Sequence, residues 1–458
     1  MPGKPVTEPR GQDTPNLSYR AIYRRVAGNA GYLLGSTGVV VLAGILQVAI
    51  NARALGPALL GLLVLAQTYA MVLERLFTFD TWQPLITLGA RQLDRKDHHG
   101  LRDALALAVG FDLAAAFCAG MLGLLLVRVA GPWLGVAPQQ QVYLDLMSLS
   151  LFFRVSGATT GLLRLFDRFS VLAALNITDA LVRLAASILL MVFHAELFAY
   201  VATFAALTVA LNLAMCVVAL VLWRRRGLPL RSGFAIGALR TQLPEFGKIS
   251  SSSFVMSSIN ALRSRADVFM LAGLVGPTAV GLYAIAQRVS SIAGRVADPL
   301  GQVAYPEISR LAAAESPARL KRVLSRFFLI GLGAGIVFVL GTLIFAPLVI
   351  RTVAGPGFEH AATPLYWLMA AFAIFLAGFW IRAAAMNVIG AVQHLYTYVV
   401  AFAAMMAIGP WAVINYGLVG AGASQLVFNL VWFLTNTFLI VRALSRAVHT
   451  KPSLQAGE

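Results

Sequence analysis

Residues 55–67 read LGPALLGLLVLAQ and residues 275–287 read VGPTAVGLYAIAQ, a constant offset of 220 residues in a chain of 458. Gly56, Pro57, Gly61, Leu62, Ala66 and Gln67 recur as Gly276, Pro277, Gly281, Leu282, Ala286 and Gln287. Apolar stretches rich in Leu and Ala resemble one another by chance, but a Gly-Pro turn and a glutamine are not generic residues of such stretches. An internal repeat at about half the chain length signals a duplicated architecture. The segments after each copy also agree in character, since residues 91–102 and 306–326 are both basic and amphipathic.

Around this repeat the sequence is 59% apolar and only 12% charged, against roughly 25% charged for a soluble domain. Nearly charge-free blocks of about 20 residues, the length that spans a bilayer core, recur throughout. The reading is an all-α, polytopic membrane protein with about twelve transmembrane helices in two six-helix halves around a central cationic cavity. Expected spans cover residues 29–50, 59–89, 104–127, 143–163, 171–193 and 197–223, then 249–273, 280–304, 327–350, 364–389, 396–414 and 418–441. The domains expected are a flexible basic tail (1–28), a first half (29–223), a linker (224–248), a second half (249–441) and a C-terminal tail (442–458). Because six spans is an even number, both halves have the same orientation, and transporters built from repeats place their site between the repeated units.

Cytoplasmic loops retain Lys and Arg. With the N-terminus inside, the inner segments hold 25 of the 36 basic residues and the outer ones only Arg53, Arg128 and Arg351. Both termini are therefore expected in the cytoplasm. The other eight cations lie within spans, and all are arginines: Arg75, Arg154, Arg183, Arg263, Arg265, Arg288, Arg295 and Arg382. The acids within spans include Glu74, Asp80, Asp112, Asp179, Asp267 and Asp298. An arginine at mid-bilayer costs about 2.5–3.5 kcal/mol on insertion scales, so these side chains are expected to face protein or water.

Helical spacing indicates their direction. Ser253, Ser257, Asn260, Ser264 and Asp267 form one stripe, with Arg263 at its margin; Arg288, Ser291, Arg295, Asp298 and Gln302 form a second. Asn176, Asp179, Arg183 and Ser187 make a third, and Ser150, Arg154, Gly157 and Gly161 a fourth. Arg183 with Asp179, Arg263 with Asp267, and Arg295 with Asp298 have the spacing of structural ion pairs. Arg75, Arg154, Arg288 and Arg382 have no acid one turn away on their own helix, which favours a ligand-binding role. The absence of lysine points the same way, because a planar guanidinium binds phosphate oxygens bidentately. The candidate binding set for a pyrophosphate or glycan is Arg75, Arg154, Arg183, Arg288, Arg295 and Arg382. Arg265 lies off the stripe and is assigned to snorkelling or an inter-helix contact. Asp112 and Asp179 are candidates for coupling to a proton or sodium gradient, with pairing to an arginine as the alternative. The offset maps Arg75 onto Arg295, placing both near mid-depth on opposite sides of one cavity.

Several classes are disfavoured. There is no GxxxxGK[ST] phosphate loop, so no P-loop ATPase is expected. The six histidines are read as loop or tail residues, and no metal or other cofactor is indicated. Cys118 and Cys216 are too isolated to suggest a disulfide framework or a thiolate metal site. No outer segment exceeds roughly 15 residues on this span assignment, leaving little room for an external catalytic domain. Two classes stay open: a transporter of an anionic glycolipid, and an ion-coupled exporter of small, cationic solutes.

The segments ARALGPALLGLLVLAQ (52–67), RADVFMLAGLVGPTAVGLYAIAQRV (265–289) and YPEISRL (305–311), with NYGLVGAGAS (415–424), resemble polysaccharide transporters of the Wzx type. These belong to the superfamily that also holds multidrug and toxic compound extruders and lipid II flippases. The resemblance implies a non-enzymatic flippase. It would carry undecaprenyl-pyrophosphate-linked oligosaccharide units across a bacterial inner membrane for O-antigen, capsule or exopolysaccharide synthesis. The implied partners are that lipid-linked oligosaccharide, membrane lipids and the polysaccharide polymerase machinery, with no nucleic acid and a monomeric chain. Lipid II flippases of the superfamily have two further C-terminal spans and an arginine in the first span, both missing here.

Overall fold

In the computed structural model, residues 19–228, 236–313 and 317–450 are described, and among them every regular element is helical. The first helix, α1 (Tyr19–Phe77), is kinked at Gly56, whose φ of 68° is open to glycine and strained for other residues. Pro57 then starts the second segment, where a missing N–H costs nothing. The same device separates α8 (Ile236–Leu274) from α9 (Pro277–Ala313), with Gly276 at φ 110°. Both copies of the repeated Gly-Pro thus break the helical path at a glycine of positive φ.

Three expected spans are broken. Residues 59–89 divide between the end of α1 and α2 (Trp82–Asp94), with Asp80 at φ 45° in the break. Residues 143–163 divide into α4 (Gln141–Leu151) and α5 (Ser156–Leu165), bent by 41°. Residues 364–389 divide into α11 (Ala362–Ala377) and α12 (Ile381–Val388). The unbroken helices are α3 (His98–Trp133), α6 (Phe169–Val192), α7 (Leu197–Arg225), α10 (Pro317–Ala354), α13 (Ala391–Tyr416) and α14 (Leu418–Thr450).

Among the described residues, eight helices are long and apolar enough to cross a membrane, and the bent α4–α5 pair makes a ninth. Helices α8 and α9 are outside that number although they are long. Their serines, arginines and acids give them the composition of helices shielded from lipid. The basic segment read as a linker is largely helical: α7 runs to Arg225 and α8 begins at Ile236, so Pro244 lies inside a helix. Helix also extends into both expected tails, from Tyr19 and to Thr450; residues 1–18 and 451–458 lie outside the described set.

Apolar side chains face outward as well as inward. On α10, Leu329, Val337, Ile344 and Leu348 are each at least 60% exposed, a surface that only lipid satisfies. The main buried cluster joins residues of α1, such as Leu60 and Leu63, to Val280 and Tyr283 of α9. There the two repeat copies meet directly. A Cβ on Gly61 would overlap the carbonyl oxygen of Pro277, and one on Gly281 would overlap that of Pro57. The repeated glycine is therefore needed for close backbone approach. Gly61→Val and Gly281→Val should each lower thermal stability in detergent by at least the 1–3 kcal/mol typical of overpacking, because rigid backbone lies in the way. An unchanged melting temperature would show that the crossing relaxes.

At the end carrying the basic loops, α8 closes against α2 and α3. Phe79 stacks on Phe254 with ring centroids 4.7 Å apart, Phe111 stacks on Phe246 at 5.3 Å, and Ser257 Oγ donates to Asp80 Oδ2 at 2.5 Å. An ion pair of 2.6 Å joins Arg91 to Glu245. At the opposite end, Arg53 of α1 donates to the backbone carbonyl of Thr352 in α10.

Candidate functional site

A cavity of about 600 Å³ opens between both segments of α1 and helices α8, α9, α11 and α14. Its lining includes the apolar residues Val48, Val64, Leu368, Phe372 and Phe375. It also carries Arg263, Arg265, Asp267, Gln287 and Arg288, with Gln67, Thr68, Ser291, Gln425 and Asn429 completing the polar part. Arg263 is about 16 Å of helix rise from the end of α8, and Arg288 a similar distance from the start of α9. Both lie about halfway through a 30 Å hydrocarbon core.

Asp267 is fully buried. Its Oδ2 accepts from Tyr283 Oη (2.6 Å), Gln287 Nε2 (2.9 Å) and Gln425 Nε2 (2.9 Å), and its Oδ1 accepts from Val268 N (2.8 Å). The expected pairing with Arg263 gives way to these partners. Arg263 instead places its guanidinium over Phe428 at 4.6 Å and Tyr398 at 5.8 Å, a cation–π arrangement. Arg265 lines the cavity while donating from Nη1 to Gln287 Oε1 at 3.2 Å. It does make the inter-helix contact expected of it, but on the cavity wall.

The guanidinium of Arg288 occupies the space that a Cβ on Gly44 would take. Glycine on α1 is what lets a cation from α9 lie against the facing helix. Gly44→Ala should therefore displace Arg288 and reduce transport with little loss of stability, because the clash is with the end of a flexible side chain. Normal transport by this variant would show that the position of Arg288 against α1 is immaterial.

The other candidates are dispersed. Arg154, in the break between α4 and α5, pairs with Glu74 of α1 at 2.6 Å. The acid missing from its own helix is supplied by another. This pair borders a chamber of about 20 Å³ with Thr78, Asp112 and Ser156, room for one water. Asp112 is 8% exposed; its Oδ1 accepts from Thr81 Oγ1 (2.6 Å) and its Oδ2 from Ala158 N (2.8 Å). It thus caps α5 from α3. Arg183 Nε donates to Asp179 Oδ1 at 2.8 Å and Arg183 Nη2 to Thr208 Oγ1 of α7 at 3.1 Å.

Arg75 is exposed in the last turn of α1. About 27 Å of helix rise separates it from the Gly56 turn, so it lies near the end of the span and not at mid-depth. Arg382 is exposed at the start of α12. Arg295 and Asp298 are on α9, with side chains outside the described residues. His394, read as a loop residue, is 4% exposed in the first turn of α13, and its Nδ1 is 2.9 Å from Asn436 Oδ1. Among the described residues no group of three or more His, Cys, Asp or Glu could hold a metal ion.

Residues 26–312 match the family described as "Polysaccharide biosynthesis protein". The inner membrane protein YghQ of Escherichia coli (strain K12) is 27% identical over 347 residues, covering 74% of this chain and 95% of that protein. Among solved structures, the lipid II flippase MurJ in its inward closed conformation superposes with a TM-score of 0.69 at 10% identity, over 91% of this chain and 89% of that one. An inward-facing multidrug resistance MATE family transporter of the MOP superfamily gives 0.64 at 15% identity, over 90% and 96%. The helical repeat, the cavity beside it and the match over most of the sequence agree: this multi-pass membrane protein has the fold of the MOP-superfamily transporters and belongs to the polysaccharide biosynthesis protein family.

Proposed function

We propose that the protein is a flippase that moves an undecaprenyl-pyrophosphate-linked oligosaccharide across a bacterial inner membrane by alternating access. The observation that carries this reading is the cavity lining, where Arg263, Arg265 and Arg288 face a single carboxylate, Asp267. Guanidiniums in low dielectric call for anions, and a pyrophosphate meets that need at mid-depth. The apolar part of the lining gives the sugar rings and the first prenyl units a hydrophobic contact surface. A cationic solute suits the site poorly, because Asp267 already accepts four hydrogen bonds.

In this reading the units on either side of residues 229–235 rock about the Gly61–Gly281 crossing. The basic end, with both termini, faces the cytoplasm by the asymmetry of Lys and Arg. The inner-membrane setting follows the name of the E. coli relative.

Deleting the gene should make lipid-linked repeat units accumulate on the cytoplasmic leaflet and deplete the surface glycan. Normal surface glycan in the deletion strain, with greater sensitivity to cationic drugs, would favour a small-solute exporter.

A further inference from the structure

The repeated glutamine reaches the cavity in both copies, as Gln67 and Gln287. The two ends of the Gln287 amide are used differently. Nε2 donates to Asp267 Oδ2, and Oε1 accepts from Arg265 Nη1. A carboxylate only accepts and a guanidinium only donates, so a single orientation of this amide satisfies both neighbours. Asp267 thereby orients Gln287, and Gln287 orients Arg265. Tyr283 and Gln425 bind the same carboxylate oxygen from α9 and α14, which anchors the start of the relay on three helices.

Gln287 uses one of the five N–H donors of Arg265. Arg265 borders the cavity, as do Arg263 and Arg288, and Asp267 is the acid of the described lining. Guanidinium groups near mid-bilayer favour an anionic ligand, and a pyrophosphate diester carries two negative charges.

We propose that Arg265 is a direct pyrophosphate-binding residue, and that Asp267 and Gln287 are positioning residues that hold its guanidinium on the cavity wall. This inference rests on the anionic-cargo reading above. It differs from an account in which Asp267 only ties α8, α9 and α14 together. Gln287→Met separates the two, because it removes the amide that joins Asp267 to Arg265 and leaves Tyr283 and Gln425 on the carboxylate. Tyr283→Phe removes a bond to the same carboxylate but leaves the relay intact.

The test uses the purified full chain with Cys118→Ala and Cys216→Ala, and with Ser291→Cys as a thiol reporter on the cavity wall. Inorganic pyrophosphate is the probe, read as protection of that thiol from a maleimide. Arg265→Gln and Gln287→Met should each raise the half-protecting concentration about ten- to a hundredfold, the range for losing a hydrogen bond to a charged group. Combining them should add little, because both act on one guanidinium. Arg265→Lys should recover part of the affinity, and Tyr283→Phe should stay close to the parent. If Gln287→Met fails to fold, Gln287→Ala, which also removes the relay and leaves Tyr283 and Gln425 on the carboxylate, should show the same loss. Parental affinity in Arg265→Gln, or equal weakening by Tyr283→Phe and Gln287→Met, would overturn the relay alone. A parent that pyrophosphate does not protect at all would overturn the anionic-cargo reading, and the relay with it.

Discussion

Cysteines placed at Asp80 and Ser257 and joined by a short thiol reagent with a reducible spacer should stop glycan export completely, and reductant should restore it. These two side chains meet at 2.5 Å where the break after α1 touches α8. Around them the rings of Phe79 and Phe254 stack, Phe111 packs on Phe246, and Arg91 pairs with Glu245. All these contacts join residues before 112 to residues after 244. Any motion that opens the basic end between the two units must part them together. The hydrogen bonds and rings are individually weak, on the order of 1 kcal/mol each, so thermal motion can open the end; a covalent tether cannot be opened. Cys118 and Cys216 must be replaced first, and each single cysteine treated with the same reagent serves as control. A cross-linked protein that still exports at the normal rate would mean that this end stays shut throughout the cycle.

The repeat was the most legible feature of the sequence because it is local. Gly-Pro at 56–57 and 276–277 forces a turn whatever surrounds it, and the glycines at 61 and 281 recur because the two copies touch. Periodicity also selects Ser264, Asp267, Arg288 and Ser291, all of which line the cavity. It failed where the partner is distant in sequence. Helical spacing reports neighbours one turn away, so it could not show that Glu74 approaches Arg154 or that Asp112 caps α5. The α4–α5 break itself, at residues 152–155, contains neither Gly nor Pro. Its residues are held by α1 and α3, contacts that residue type alone does not reveal. Arg265 lies off the polar stripe of α8, so periodicity points it away from the cavity, yet long side chains on one helix reach a common space from different faces. Gln287 was visible as a repeated residue; its role needed the positions of Asp267 and Arg265 on either side of it.

The tertiary pairing of Arg154 carries the second large expected effect. Its Nε lies 2.6 Å from Glu74 Oε1, with the glutamate side chain 13% exposed and the arginine 30%. Arg154→Ala leaves a carboxylate nearly out of water among α1, α3 and α4. Breaking a buried pair by removing one partner costs about 3–5 kcal/mol, a large share of the 5–15 kcal/mol that typically holds a domain folded. The variant should therefore be strongly depleted from the membrane, with a clearly lowered melting temperature in detergent. Glu74→Ala should be milder, because the longer arginine is partly exposed and can extend toward water. Replacing both, as Arg154→Met with Glu74→Leu, fills the site with apolar groups of similar size, a change that is often neutral for a buried pair. It should restore protein level and export together. A substrate-binding Arg154 makes the opposite forecast, since Arg154→Ala would then be stable and inactive, and the double variant would stay inactive. Melting temperature and surface glycan, measured on the same three variants, decide whether this guanidinium holds the fold or the cargo.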